Sequence, residues 1–263
     1  MKQGFVKVAS ATPRIRVADP VYNAQVICEQ AKEAAEHGAK IVVFPELCIT
    51  GYTCNDLFLQ ELLLEKAKEA LLTIAEETGQ LETLFLVGLP VDKDGRLYNV
   101  AAVLYRGRIL GMIPKKNIPM YAEFYEGRHF TPGEETVTEY RLGKQVIPFG
   151  SNLLFRCEEL PELILGCELC EDLWVAEPPS TSHALMGATV IANLSASNET
   201  VSKDDYRTLL IKASSARLLC GYIYTSAGEG ESTQDLVFGG HDLIAENGTL
   251  LVPVSYTHLR AHE

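Results

Sequence analysis

Three residues of different chemical type, a carboxylic acid, an amine and a thiol, each stand just beyond a short apolar run of the sequence. They are Glu46, Lys115 and Cys170. Because the ends of the strands in one sheet converge on one rim, we expect these three side chains to meet there. The pattern therefore predicts a nucleophile that lies beside a base and a cation.

These residue types suit the hydrolysis of an amide. A buried Glu46 can take a proton from the Cys170 thiol, because desolvation raises the pKa of a carboxyl group toward neutrality. Lys115 can stabilise the thiolate, and also the oxyanion that forms when the thiolate attacks a carbonyl carbon. We predict a cysteine-dependent amide hydrolase with an accessible Cys170 thiol of low pKa.

The spacing of Cys167 and Cys170 also permits a metal site or a redox pair. A metal site is disfavoured because there is no second cysteine pair at ligand spacing, and none of the six histidines falls at a matching interval. A redox pair usually opens a helix, whereas alternation along a strand would point these two side chains to opposite faces.

Other interpretations of the same residues stay open at the level of sequence. A Cys-His hydrolase could use His129 or His183, and sequence distance excludes neither. Lys116 competes with Lys115 for the role of the cation. Cys170 could also be a small apolar core residue of a non-catalytic scaffold.

Helical and apolar extended segments alternate along the chain and position the three residues. The spacing predicts helices over residues 19–38, 56–78, 178–187 and 204–220, and strands over residues 40–44, 83–88, 163–169, 188–194 and 222–226. Glycine-containing turns at 106–108 and 247–248 predict two hairpins. Because hairpins interrupt the alternation, we predict an α/β (α+β) fold with mixed sheets between helical layers.

The domain organisation follows from composition along the chain. Residues 131–150 contain proline and glycine and are predicted to be a surface excursion rather than a domain boundary. Residues 255–263 continue no apolar period, and we interpret them as a non-native tail. The expected domain therefore covers residues 1–254.

Charge and composition bear on partners and compartment. The formal net charge of -12 argues against nucleic acid or an anionic membrane as a partner. No run of about 18 apolar residues and no secretory signal pattern is visible. Seven cysteines, an odd number scattered through apolar surroundings, favour reduced thiols. We expect a cytoplasmic protein that acts on a small neutral or zwitterionic substrate.

Three motifs in order resemble those of the nitrilase superfamily of carbon-nitrogen hydrolases. They are Phe-Pro-Glu46-Leu, then Pro-Lys115 followed by Tyr-Ala-Glu-Phe-Tyr-Glu126, and then Leu-Cys170-Glu-Asp-Leu-Trp174. The resemblance extends from residue 5 to residue 252. Stretches at 51–60, 178–180, 193–197, 214–217 and 227–232 are similar to one branch, the amino-terminal glutaminase domain of glutamine-dependent NAD synthetases.

The resemblance implies a nitrilase-like four-layer αββα sandwich of two mixed β-sheets. It also implies hydrolysis of the side-chain amide of L-glutamine, with Glu46 as general base, Lys115 at the oxyanion and Cys170 as the nucleophile that forms a thioester. The residues that it assigns to the substrate pocket are Tyr121, Ser197, Lys203, Glu126, Glu171, Tyr52, Phe124 and Trp174. Lys203 would pair with the substrate α-carboxylate, and Glu126 would orient Lys115.

One motif of such synthetases does not occur in the sequence. The ATP-pyrophosphatase loop, of the Ser-Gly-Gly-x-Asp-Ser kind, is absent. The resemblance thus implies that this domain needs no cofactor or metal of its own. Ammonia would pass to a C-terminal synthetase domain that amidates deamido-NAD, and only that domain would require ATP and Mg²⁺. The resemblance also implies homo-oligomers. A free-standing amidase or nitrilase that acts on another small substrate remains the alternative.

Overall fold

The computed structural model describes residues 4–254 and 260–262. The strands are β1 (Val8–Ser10), β2 (Ile41–Val43), β3 (Leu84–Lys93), β4 (Arg96–Tyr105), β5 (Arg108–Pro114), β6 (Thr138–Leu142), β7 (Gln145–Phe149), β8 (Leu154–Arg156), β9 (Ile164–Leu169), β10 (Val190–Ser195), β11 (Gly221–Ser226), β12 (Asp242–Glu246), β13 (Thr249–Val254) and β14 (Arg260–His262). The helices are α1 (Pro20–Glu36), α2 (Glu61–Glu77), α3 (Pro179–Leu185) and α4 (Lys203–Leu218), with 3₁₀ helices at Tyr52–Leu59, Glu126–Arg128 and Cys170–Leu173.

The strands form two mixed sheets. The larger sheet has the order β14-β1-β2-β3-β4-β5-β7-β6, and the smaller has the order β13-β12-β11-β10-β9-β8. In the larger sheet β1, β2 and β3 are parallel while β3, β4 and β5 are antiparallel. In the smaller sheet β9, β10 and β11 are parallel and the outer strands are antiparallel.

The two sheets stack face to face between helical layers. Apolar side chains of both sheets, such as Val43 and Val103 of the larger and Leu194 of the smaller, fill the space between them. The outer face of the larger sheet packs on α1 and α2, and that of the smaller sheet on α3 and α4. This arrangement confirms the predicted four-layer αββα sandwich.

Helix α1 follows the sequence prediction closely. The Asp19 side chain accepts a hydrogen bond from the backbone N–H of Tyr22 at 3.1 Å, and Pro20 occupies the first turn. Ala31 and Ala34 are fully buried in the core formed with the larger sheet. Such small side chains let the helix axis approach the sheet closely.

One predicted helix boundary and one predicted surface segment are wrong. Helix α2 begins at Glu61 rather than at residue 56, because the preceding residues form the 3₁₀ helix Tyr52–Leu59 and Asn55 adopts a φ of 50°. Residues 131–150 are not a surface excursion, since they contain the antiparallel pair β6 and β7 at the edge of the larger sheet. Buried and exposed residues alternate along each of these strands, and this alternation is the pattern that predicts a strand with one face on the core.

The end of the chain is described only in part. Residues 260–262 form β14, which pairs antiparallel with β1. Residues 255–259 and 263 lie outside the described residues, and the interpretation of 255–263 as a non-native tail stays a prediction. Among the helices that the structure describes, none combines the length and the apolar character needed to cross a membrane.

Candidate active site

Glu46, Lys115 and Cys170 meet, but they come from two sheets rather than from one. Glu46 follows β2 and Lys115 follows β5 of the larger sheet, whereas Cys170 follows β9 of the smaller. The expectation of a single rim is therefore wrong. Stacking of the sheets brings their strand ends together, and the backbone N–H of Glu46 donates to the Ser195 carbonyl of β10 at 3.3 Å.

Lys115 lies at the centre of the polar group. Its Nζ donates to Glu46 Oε1 at 2.6 Å and to Glu126 Oε1 and Oε2 at 2.7 and 2.9 Å. The side chain is fully buried. Burial disfavours the charged amine, but Glu126 and Glu46 together outweigh it and hold the pKa of Lys115 well above its usual value. Lys115 is therefore a fixed positive charge.

Glu46 keeps one carboxylate oxygen free for chemistry. Its Oε1 accepts from Lys115 and from Asn99 Nδ2, the latter at 2.7 Å. Its Oε2 is buried and has no hydrogen-bond partner among residues 4–254. Burial raises the pKa of Glu46 above the ordinary carboxyl value, with Lys115 acting in the opposite direction. A buried carboxylate with an unpaired oxygen is suited to accept a proton.

Close backbone packing fixes the Glu46 turn on the sheet. A Cβ atom added at Gly88 of β3 would lie 2.3 Å from the backbone nitrogen of Leu47 and 2.6 Å from the carbonyl oxygen of Pro45. Only glycine permits that approach. The backbone N–H of Ile49 also donates to the Gly88 carbonyl at 3.1 Å.

Cys170 opens the short 3₁₀ helix Cys170–Leu173 with a φ of 39°, in the left-handed region that residues other than glycine rarely adopt. The residue is 6% exposed. Burial and the Glu46 carboxylate raise the pKa of the thiol, and Lys115 opposes them with a smaller effect. The expected low pKa of the thiol is thus wrong for the free protein, although Cys170 lines an open cleft. A thiol of raised pKa needs a base when it attacks.

Six of the residues that the family resemblance assigned to the substrate line one open cleft together with Cys170. They are Tyr121, Phe124, Glu171, Trp174, Ser197 and Lys203. The Tyr121 hydroxyl donates to Glu171 Oε2 at 2.9 Å.

Lys203 brings a positive charge to this cleft between aromatic rings. Its Nζ lies 5.4 Å from the ring centroid of Phe124 and 5.3 Å from that of Trp174, and it donates to Asn198 Oδ1. Burial lowers the pKa of Lys203. A partly desolvated ammonium in an open cleft is a ready partner for a carboxylate.

The other two predicted pocket residues, Tyr52 and Glu126, stand behind Lys115 and are not among the residues that line this cleft. The Tyr52 hydroxyl donates to Glu126 Oε1 at 2.8 Å. Both oxygens of Glu126 in turn accept from Lys115. This geometry places Glu126 where it can orient the lysine.

The two histidines and the lysine that were alternatives for the catalytic roles bind to other groups. His129 Nε2 lies 3.0 Å from Asp56 Oδ1, and His183 Nε2 donates to the Ser151 carbonyl at 3.0 Å. Lys116 forms an ion pair with the exposed Glu135. Within the part of the chain that the structure describes, no group of three or more His, Cys, Asp or Glu residues could hold a metal ion.

Two buried polar residues escaped the sequence analysis. Asn99 interrupts the apolar run of β4 and contacts Glu46. Arg207 of α4 is fully buried, and its guanidinium donates to Ser197 Oγ at 3.2 Å and to the Asn198 carbonyl at 3.1 Å, beneath the cleft. Asn99 could have been found as a polar residue within a buried strand. Arg207 lies in a polar helix and gives no such signal.

Comparison with known proteins places this geometry in context. The carbon-nitrogen hydrolase family profile matches residues 7–256. The chain is 43% identical over 250 residues to the glutamine-dependent NAD(+) synthetase of Mycobacterium tuberculosis, a match that covers 95% of this chain and 37% of that protein. The chain thus spans little more than a third of the length of this relative.

Solved structures show the same fold. The crystal structure of a glutamine-dependent NAD(+) synthetase from Cytophaga hutchinsonii has a TM-score of 0.88 at 28% identity, covering 98% of this chain and 42% of that one. An amidase from Nesterenkonia sp. AN1 has a TM-score of 0.75 at 20% identity over 97% of this chain and 88% of that one, which is a likeness of fold.

Proposed function

This chain belongs to the carbon-nitrogen hydrolase family, and we propose that it hydrolyses the side-chain amide of L-glutamine through a thioester on Cys170. The observation that carries the proposal is one cleft that presents both a thiol and an ammonium. Cys170 interacts there with Glu46 and Lys115, and Lys203 lines the same cleft. An amide group and an amino-acid carboxylate are the two substrate features that these residues fit.

Thioester formation begins with proton transfer. Glu46 accepts the thiol proton through its unpaired Oε2 as Cys170 Sγ bonds to the amide carbon. The carbonyl oxygen gains negative charge, which the Lys115 ammonium stabilises. As the carbon-nitrogen bond breaks, Glu46 returns the proton to nitrogen and ammonia leaves.

Hydrolysis of the thioester regenerates the enzyme. Glu46 takes a proton from water, whose oxygen bonds to the acyl carbon. The carbon-sulfur bond then breaks, and the proton held by Glu46 returns to Cys170. The balanced reaction is L-glutamine plus water to L-glutamate plus ammonia.

The ammonia is proposed to serve a synthetase. The M. tuberculosis and Thermotoga maritima relatives are glutamine-dependent NAD(+) synthetases, and this chain spans 37% and 39% of their lengths. We expect a C-terminal domain outside this sequence to use the ammonia for ATP-dependent amidation of deamido-NAD, in a cytoplasmic homo-oligomer. ATP and Mg²⁺ would bind in that domain.

The decisive experiment measures ammonia release from L-glutamine by the 263-residue chain and by Cys170→Ala. Activity should fall to background in the variant, because alanine cannot form the proposed thioester, and the matched control Cys220→Ala should keep it. Cys220 is also a buried cysteine, but it lies between α4 and β11. Undiminished activity of Cys170→Ala would remove the proposed nucleophile.

A substrate panel separates glutamine from the alternative. If the chain leaves L-glutamine unchanged but hydrolyses an aliphatic amide or nitrile in a Cys170-dependent manner, it is a free-standing amidase or nitrilase. Because Lys203 is expected to pair with the substrate carboxylate, we predict that the chain hydrolyses L-glutamine faster than amides that lack a carboxylate.

A further inference from the structure

Asp172 is a buried carboxylate that accepts hydrogen bonds from the backbone of two segments, the one that carries Cys170 and the one that carries Lys115. It stands two residues beyond Cys170 and is 1% exposed. Its Oδ2 accepts from the backbone N–H of Leu169 at 3.0 Å. Its Oδ1 accepts from the backbone N–H and from the Nδ2 of Asn117, each at 2.8 Å.

These partners lie on segments that adjoin two different sheets. Leu169 ends β9 of the smaller sheet and immediately precedes Cys170, whereas Asn117 follows Lys115 by two residues beyond β5 of the larger sheet. The backbone N–H of Lys116 also points at Asp172 Oδ2, at 3.5 Å. A single side chain thus joins the segment that carries the nucleophile to the segment that carries the lysine.

The Cys170 backbone makes this connection mechanically important. Cys170 has a φ of 39°, a conformation that persists in a non-glycine residue only when its surroundings hold it. The hydrogen bond from the Leu169 backbone N–H to the Asp172 carboxylate spans Cys170 and closes the 3₁₀ turn. Both oxygens of Asp172 accept hydrogen bonds from backbone N–H groups, and these bonds oppose the effect of burial, which raises the pKa of Asp172 to about 6.

We propose that Asp172 is a positioning residue that fixes the Cys170 turn against the Lys115 loop across the interface of the two sheets. Asp172 touches no substrate and exchanges no proton in the reaction. It keeps the thiol at the distance from Glu46 and Lys115 that attack requires. The consequence for catalysis rests on the proposed function, whereas the consequence for thiol reactivity does not.

Asp172→Asn tests this role in the full chain. The amide offers one acceptor oxygen and directs an N–H₂ group at backbone donors, so the two segments lose their shared anchor. We expect kcat for L-glutamine to fall about 10- to 100-fold, as a misplacement of about 1 Å can produce. KM should change little, because Lys203 and Trp174 of the cleft are untouched.

A substrate-independent readout accompanies the kinetics. The rate of Cys170 alkylation by iodoacetamide, followed by mass spectrometry, should fall about tenfold, because the protonated thiol must pass its proton to a well-placed Glu46 as it reacts. If wild type releases no ammonia from L-glutamine, the proposed substrate fails, and the alkylation rates still decide the role of Asp172.

Asp242→Asn is the matched control. Asp242 is also buried and accepts from the Ser226 backbone N–H and from Thr12 Oγ1, each at 3.0 Å, but it contacts neither catalytic segment. If Asp172 only stabilises the fold, Asp172→Asn and Asp242→Asn should both show a lower melting temperature, with kcat and alkylation rate as in wild type. This result would overturn the proposal.

Asn117→Ala provides a milder second variant in case Asp172→Asn does not fold. It removes one side-chain donor to Asp172 from a half-buried position. We expect a smaller decrease, about two- to tenfold, in the same two rates. Rates for Asn117→Ala that equal those of wild type, in a folded protein, would contradict the positioning role.

Discussion

At the scale of single residues, the raised pKa of Glu46 sets the pH dependence of the reaction. The carboxylate must be ionised to take the thiol proton, so kcat/KM should fall as the pH decreases through the pKa of Glu46. Burial raises that pKa above the ordinary value of 4.5. We expect the acid limb of a pH profile of ammonia release to lie well above pH 4.5, and a limb near the ordinary carboxyl value would contradict this assignment.

Replacement of the base provides a second test at this scale. Glu46→Gln keeps an acceptor for Lys115 and Asn99 but removes the proton acceptor, so kcat should fall on the order of 10²- to 10⁴-fold. The acid limb should disappear in any residual activity. Glu65→Gln, on the exposed face of α2, is the control and should leave both unchanged.

Lys203 governs recognition of the amino-acid part of the substrate. Lys203→Met keeps an apolar stem between Phe124 and Trp174 but removes the charge, so KM for L-glutamine should rise about 10- to 100-fold, the equivalent of one charge-assisted hydrogen bond. Steady-state kinetics with an uncharged aliphatic amide should show no such rise. Lys212→Met, exposed on the same helix, is the control. Equal losses for both substrates would place Lys203 outside the carboxylate site.

At the scale of elements, the start of the 3₁₀ helix Tyr52–Leu59 depends on Glu231. One carboxylate oxygen accepts from the Tyr52 backbone N–H at 2.7 Å, and the other from the Thr53 backbone N–H at 3.0 Å. This contact holds Tyr52 beneath Glu126, which in turn holds Lys115. The active-site lysine is therefore positioned through an element that contributes no reacting group.

Glu231→Gln should weaken this support. The amide nitrogen faces a backbone donor, so Tyr52 shifts and kcat is expected to fall about tenfold with little change in KM. Glu229, two residues away, forms an exposed ion pair with Arg14, and Glu229→Gln should leave kcat for ammonia release unchanged. An unchanged kcat in Glu231→Gln would mean that Tyr52 is held by packing alone.

At the scale of the whole molecule, the buried Asp242 couples folding to pH. Burial raises its pKa from 3.8 to about 7 in the folded chain. Its contribution to stability is full below the unfolded value and is lost as the pH rises through about 7, with a slope of up to about 1.4 kcal/mol per pH unit. Thermal melts should show a decrease in melting temperature from pH 4.5 to pH 7.5 that is shallower in Asp242→Asn. Parallel melting profiles would contradict the raised pKa.

Most elements and the identity of the central residues could be predicted from local signals in the sequence. Period and capping predicted α1, and glycine turns predicted the β4–β5 and β12–β13 hairpins, because these signals are local. Position beyond an apolar strand singled out Glu46, Lys115 and Cys170. The family resemblance added the αββα architecture and the residues of the cleft.

Features that depend on distant segments could be seen only in the folded chain. Only the stacking of two sheets shows that Cys170 meets Glu46 and Lys115 across an interface rather than on one rim. Only burial shows that the pKa of the thiol is raised, since a pKa depends on the dielectric and the charges that the fold assembles. The roles of Asn99 and Asp172 likewise follow from contacts between segments that are more than 50 residues apart in sequence.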